Sequence, residues 1–191
     1  MPNVNFQSNV IPPMSNLDAT ARVLVTTESN KNTYRAAAIG VTLYSTAAAV
    51  LAEIQGSSTM TVRVKRIAIW SIVASTAIEA DLTLLRCTAV SAGTATAITA
   101  GKHDKNDPAP TAVVNTYAAA AAAGTGHAVI GAAPLSLGVT GATQCVWDFC
   151  RNCDKPLILR GTGDVIEIYN NTTTLGTATF GVEVEWEEDN S

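Results

Sequence analysis

Along residues 177–187, TATFGVEVEWE, apolar and polar positions alternate without a break. Ala178, Phe180, Val182, Val184 and Trp186 take one phase, and Thr177, Thr179, Gly181, Glu183, Glu185 and Glu187 take the other. A strict period of two suits a pleated strand with one buried face, and a helix cannot satisfy it. Residues 60–73, MTVRVKRIAIWSIV, also read as a strand: Met60, Val62 and Val64 share one phase, whereas Ile67 and Ile69 take the opposite one. The change of phase near Lys65-Arg66 predicts a β-bulge or a strand that switches sheets. Further strands are expected at 22–26, 33–44, 47–55, 79–88, 111–117, 143–149, 156–160 and 164–170.

Turn chemistry separates these runs at Gly56-Ser57-Ser58, between Gly101 and Pro110, at Gly161-Thr162-Gly163, and from Asn170 to Gly176. The alanine run Ala118–Ala123 favours helix by composition. It is too short to hold a helix without packing help, and Gly124-Thr125-Gly126 ends it, so 118–127 reads as a loop of small residues. Many short strands with no amphipathic helix predict an all-β fold, an antiparallel β-sandwich. Roughly eight to ten strands suit a jelly roll better than a small barrel. Residues 1–20 differ from the rest: Pro2, Pro12 and Pro13 among Asn3, Asn5, Asn9 and Asn16 predict an extended N-terminal arm ahead of a jelly-roll domain over 21–191.

Composition narrows the function. Charged residues make up 15% of the 191, below the roughly 25% common in soluble domains, and the net charge is −4. That balance lacks the basic footprint of a nucleic-acid binder. No apolar run is long enough for a membrane helix, and Met1-Pro-Asn-Val-Asn-Phe lacks the basic and apolar regions of a signal peptide. The expectation is a chain made in a cytoplasm, with neither nucleic acid nor membrane as partner.

Candidate chemistry is sparse. Cys150-Arg-Asn-Cys153 is a lone CxxC, with Cys145 before it and Cys87 far away. Zinc wants a second pair, and His103 and His127 stand isolated, so no metal is expected. Cys150 and Cys153 are candidates for a disulfide under oxidising conditions. His103, Asp104 and Asp107 lie in GKHDKNDPAP, which lacks the glycine and closing glutamate of an EF-hand and reads as a polar turn. Glu183, Glu185, Glu187, Glu188 and Asp189 form the densest acidic stretch and read as a solvated face. Arg63 and Lys65 alternate in the same way, so pairing of the two strands would give cross-strand ion pairs with Glu183 and Glu185. Trp70, Trp147, Trp186 and Phe180 are expected in the core. Tyr34, Tyr44, Tyr117 and Tyr169 are open between core edge, interface and saccharide stacking. No GxSxG, HExxH or phosphate-binding glycine loop occurs, and two histidines are too few for a cupin-like metal enzyme. Neither catalysis nor a cofactor is expected.

Four stretches carry a likeness to known proteins: VLAEIQGSS with TVRVKRIAIW, LLRCTAVSAGTATAIT with HDKNDPAP, TQCVWDFCRNCDKPLILRG, and GDVIEIYNN with VEVEWEE. Together they span roughly residues 50–188 in order. In this the chain resembles the trimeric jelly-roll capsid decoration, or cement, proteins of bacteriophages. The Cys150–Cys153 loop departs from that group, and the arm lies outside the likeness. The resemblance implies a structural virion protein on the outer surface of a phage head, a homotrimer bound to the major capsid protein, made in the bacterial host cytoplasm. The arm would attach through Val4, Phe6, Val10, Ile11, Pro12 and Pro13. The alternative is a fibre or tail-associated jelly-roll module that recognises a carbohydrate or host surface, since jelly rolls serve both purposes.

Overall fold

Alternating sequence becomes paired strand wherever the chain is described. The computed structural model describes residues 31–43, 48–74, 77–117, 119–138, 143–150, 155–172 and 178–189. The strand expected at 22–26 and the arm 1–20 lie outside these residues. Twelve strands follow in order: β1 (Asn32–Leu43), β2 (Ala49–Gln55), β3 (Thr61–Ala74), β4 (Ile78–Cys87), β5 (Ala95–Ile98), β6 (Ala100–Lys102), β7 (Val113–Tyr117), β8 (Ala128–Leu137), β9 (Gln144–Asp148), β10 (Leu157–Leu159), β11 (Val165–Asn170) and β12 (Ala178–Asp189). Among the described residues there is no helix, so the protein is all-β.

The strands form two six-stranded antiparallel sheets. Sheet I runs β10-β3-β12-β1-β6, with β9 also paired to β3; sheet II runs β5-β7-β2-β11-β4-β8. Successive strands β1 to β4 therefore alternate between the sheets, as β11 and β12 do. β12 lies between β1 and β3, in register from Asn32↔Glu188 to Leu43↔Ala178 on one side and from Thr61↔Asp189 to Ala74↔Ala178 on the other.

The phase change at Lys65 has a structural cause. The β3–β12 register passes from Arg66↔Glu185 to Val64↔Trp186, so Lys65 is an extra residue in a bulge. A second bulge interrupts β1 between Ala38 and Val41, where Gly40 sits at φ 76°, a conformation that a side chain disfavours.

One apolar cluster, drawn from both sheets, fills the sandwich. Phe180, Val182, Val184 and Trp186 enter it from β12, Ile67 and Ile69 from β3, Ile54 from β2, Ile166 and Ile168 from β11, and Leu82 and Leu84 from β4. Each such side chain contributes about 1.5–3 kcal/mol when fully buried. Tyr34 and Trp186, both fully buried, meet with ring centroids 5.7 Å apart.

The segment β5–β7 closes one side of the sandwich. β5 and β7 extend sheet II beyond β2, while β6 pairs with β1 in sheet I. Glu188 ties this segment down. It is 2% exposed and accepts hydrogen bonds from the Thr111 hydroxyl at 2.6 Å, the Ala112 N–H at 2.9 Å and the Trp186 indole N–H at 2.9 Å. The Tyr34 hydroxyl donates to the Pro108 carbonyl at 3.0 Å. Burial first, then the charges of Glu188 and Asp107, push that hydroxyl up to about 12. Glu188 thus departs from the solvated face expected of the acidic stretch: it has the inward phase of β12, continuing from Trp186.

Three strands were not legible in the alternation, β5, β6 and β8. β8 is the longest of them, and Gly131 and Pro134 interrupt its pattern. Among the described residues it is an edge strand paired only with β4, so a missing N–H at Pro134 does no harm. Gly131 lies under the Trp147 indole, where an added Cβ would be 3.1 Å from Nε1.

Candidate functional site

The two sheets present very different outer faces. On sheet I, the outward residues of β12 stand between cations from β3 and β1. Arg63 Nε meets Asp189 Oδ2 at 2.9 Å, and Lys65 Nζ meets Glu187 Oε1 at 2.7 Å. Arg66 Nη1 meets Glu183 Oε1 at 2.6 Å, and Arg35 Nη2 meets Glu185 Oε2 at 2.7 Å. Arg35 also reaches Glu183, at 3.7 Å. The structure thus brings the acidic row and the basic strand together, but Arg63 and Lys65 pair with Asp189 and Glu187 rather than with the expected Glu183 and Glu185. Four cations facing four carboxylates leave the face close to neutral. All are partly exposed, so each pair is worth at most about 1 kcal/mol.

Beside the ion pairs lies Trp70. It stands opposite Gly181 in the β3–β12 register, and a Cβ at Gly181 would fall 2.2 Å from its ring. The missing side chain lets the indole lie against β12. Trp70 is therefore on the outer face, half-buried, rather than in the core as expected; Trp147 is half-buried as well. Arg35, Arg66, Trp70, Gln144 and Glu183 line an open concavity of about 440 Å³.

On sheet II two outward carboxylates do not meet solvent. Ala52, Ile54, Ile166 and Ile168 point into the sandwich, so Glu53 and Glu167 point out, opposite each other in the β2–β11 register. Yet they are 2% and 0% exposed. Two segments cover them, residues 88–94 and 119–126, bridged by paired hydrogen bonds between Ala92 and Ala122 at 3.1 and 3.2 Å. The Val50 N–H donates to the Ala121 carbonyl and the Thr88 N–H to the Thr125 carbonyl, both at 3.0 Å. Small residues permit this close approach. A Cβ at Gly93 would be 2.7 Å from the Ala121 Cβ, and one at Gly124 would be 1.9 Å from the Ala89 oxygen. Under the cover, Val50, Tyr117 and Ala121 form one apolar group, and Leu85, Cys87 and Val165 another.

Glu53 is surrounded by donors. Its Oε1 accepts from Gln55 Nε2 at 2.5 Å and Asn115 Nδ2 at 3.0 Å; its Oε2 accepts from the Ser91 hydroxyl at 2.7 Å and the Ser91 N–H at 3.2 Å. Burial pushes this carboxyl up, but the bonds from Asn115, Ser91, Tyr117 and Gln55 outweigh it and hold Glu53 below its ordinary value. Glu167 has the Gly124 N–H, at 3.0 and 3.2 Å from its two oxygens, and Ser91 Oγ at 3.1 Å. Burial holds Glu167 above its ordinary value; bonds from Gly124, Cys87 and Ser91 offset it only in part, and the charge of Glu53 adds to it. Burial also raises the Cys87 thiol to about 12, with Glu167 adding to the effect, and raises the Tyr117 hydroxyl.

Neither Glu53, Glu167 nor Ser91 stood out in the sequence. A single acid inside VLAEIQ or VIEIYN has the outward phase of a half-buried strand, and solvent is its default. The available signal was elsewhere, in the Gly- and Ala-rich stretches on either side of β5–β7, whose small residues allow a cover to lie flat.

Val4, Phe6, Val10, Ile11, Pro12 and Pro13 lie outside the described residues, as do Cys153 and Tyr44. Cys150 is half-buried, and its N–H donates to Asp148 Oδ1 at 3.1 Å. The stretch around His103 is a polar turn, with Asp104 Oδ1 accepting from the Asn106 N–H at 2.9 Å. Among the described residues no cluster of His, Cys, Asp and Glu is arranged to hold a metal ion, and no helix is long and apolar enough to cross a membrane. No family model matches the chain, and no curated protein does.

Proposed function

We propose that this chain is a structural virion protein of the capsid decoration type: a jelly roll that trimerises and binds the major capsid protein on the outside of a phage head. The observation that carries this reading is the strand order. With the β5–β7 segment set aside and β9 and β10 counted as one interrupted strand, eight strands remain. Sheet I then reads first-eighth-third-sixth and sheet II second-seventh-fourth-fifth. That order results from folding one long hairpin over on itself, as a jelly roll does. A rigid sandwich of this kind adds bonding area without chemistry, and a trimer multiplies weak contacts. Exposed Val129 and Ile130 on β8 and Val146 on β9 offer apolar area for a second copy of the chain. The arm 1–20 supplies the link to the shell.

Deleting residues 2–18 and measuring occupancy on purified phage heads tests the attachment. Loss of occupancy with retained folding and threefold mass in solution is expected. Undiminished binding would remove the arm from the account, and a monomer without affinity for heads would end the reading.

The concavity at Trp70 favours a second reading, a fibre or tail-associated module for carbohydrate. An indole face beside Arg35, Arg66, Gln144 and Glu183 offers both stacking and hydrogen-bonding groups to a sugar. Glycan binding that Trp70→Ala abolishes, without affinity for heads, would select it.

A further inference from the structure

The cover on sheet II rests on a hydrogen count that does not close with both acids ionised. Ser91 Oγ lies 2.7 Å from Glu53 Oε2 and 3.1 Å from Glu167 Oε1. A hydroxyl has one hydrogen to give. It can donate to one carboxylate; the other contact is a hydrogen bond only when that second carboxyl carries a proton of its own. Glu53 already faces the Asn115 and Gln55 amides and the Ser91 N–H, all donors, so it is the acceptor. Glu167 is left to donate to Ser91 Oγ. Among the described residues no cation bonds the pair, and a proton is what offsets its second charge.

We propose that Glu53, Ser91 and Glu167 form a proton-held latch: the closed cover keeps one proton on Glu167, and losing that proton frees residues 88–94 and 119–126 from the outer face of sheet II. The latch is placed to do this because Ser91 belongs to one covering segment and Gly124, which donates to both Glu167 oxygens, belongs to the other. One titration therefore reaches both. Opening would bare two apolar groups, Val50 with Tyr117 and Leu85 with Cys87 and Val165.

Two groups beside the pair keep their charge state over the range concerned. Cys87 on β4 and Tyr117 on β7 are both raised and remain neutral. Tyr169 on β11 packs under the same cover. His127, whose Nδ1 lies 3.2 Å from the Gly124 carbonyl, is the titratable side chain at the rim.

The sign follows from the direction of each shift. Glu167, raised when closed, favours the closed cover fully below the ordinary carboxyl value, and this is lost as pH rises towards its closed-state value. Glu53, lowered when closed, favours closure above the ordinary carboxyl value and loses this only in acid. Between about pH 5 and the titration of Glu167, opening releases one proton, so the opening constant grows about tenfold per pH unit and then levels off.

Native-state hydrogen exchange of the Val50, Thr88, Ala92, Ala122 and Gly124 amides, corrected for intrinsic rates, reads that slope against β12 amides as the control. Glu167→Gln can still donate to Ser91 and accept from Gly124, so its slope should be flat. The infrared band of a buried protonated carboxylic acid should persist in the native protein above the ordinary carboxyl range and be absent in that variant. Glu53→Gln turns an amide N–H towards either the Asn115 and Gln55 donors or the Ser91 N–H and should uncover the segments at every pH. His127→Gln should leave the slope intact. A native protein without the slope, a Glu167→Gln variant that keeps it, or the absence of the acid band would each overturn the latch, and so would a slope lost in His127→Gln. Glu53→Gln as well protected as Glu167→Gln would place the proton on the wrong carboxyl and overturn it too.

Discussion

The outer faces of sheets I and II carry the same sequence device, glutamates in the outward phase of a strand, and treat it in opposite ways. On sheet I, Glu183, Glu185 and Glu187 are partly exposed and each faces a cation across the sheet. On sheet II, Glu53 and Glu167 are buried by the chain's own loops and are served by hydroxyl, amide and backbone donors. Water screens and solvates the first set, so its charges are tolerated with modest reward. The second set has lost water, so every hydrogen bond around it is strongly favourable and an unmade one is expensive. Exposure, rather than the residue type, decides what a glutamate does here.

Two glycine substitutions should separate the faces most clearly. Gly124→Ala places a Cβ 1.9 Å from the Ala89 oxygen and 2.9 Å from Glu167 Oε1. The first neighbour is backbone, so the cover itself must shift and the Glu167 bonds with it. A loss on the order of 3 kcal/mol is expected in urea unfolding. Gly181→Ala meets the Trp70 ring first, at 2.2 Å, on a face open to solvent. The indole can swing outward, so the loss should be nearer about 1 kcal/mol, with Trp70 emission moving towards that of a solvated indole. Equal losses for the two variants would mean that the cover on sheet II is no tighter than the Trp70 stack, and the contrast between faces would fail.

The sequence carried the framework well because one physical rule dominates it. Where a strand has one face in the core and the other outside, alternation is strict, and β12 and β3 were legible down to the bulge at Lys65. The rule stops at positions whose partner is distant. Glu188 continues the inward phase of β12, yet its acidic neighbours Glu187 and Asp189 made it look solvated; its partners Thr111 and Ala112 arrive from the β5–β7 segment. Glu53 and Glu167 are hidden by loops whose own sequence, alanine and glycine, has no periodicity to read. β8 was missed because Gly131 accommodates Trp147, a contact made across the fold. The jelly roll and the arm were expectations from strand count and composition, whereas the two antiparallel sheets are seen directly in the described strands.

Glu183→Gln should give the smallest effect and the sharpest test of how sheet I differs from sheet II. Glu183 meets two cations, Arg66 at 2.6 Å and Arg35 at 3.7 Å, so its neutralisation leaves both short of an opposing charge. Even so, Arg35 retains Glu185 at 2.7 Å, and the freed Arg66 side chain is about one-third exposed and can be hydrated. The expected loss is about 0.5 kcal/mol at low salt. It should shrink further near 1 M salt, where the screening length falls to about 3 Å. Changes beneath the cover of sheet II, such as Gly124→Ala, should show no comparable salt dependence, because counterions do not enter there. A loss at Glu183 that is large and insensitive to salt would show that this face, too, is shielded from solvent, as it would be if a second copy of the chain packed against it.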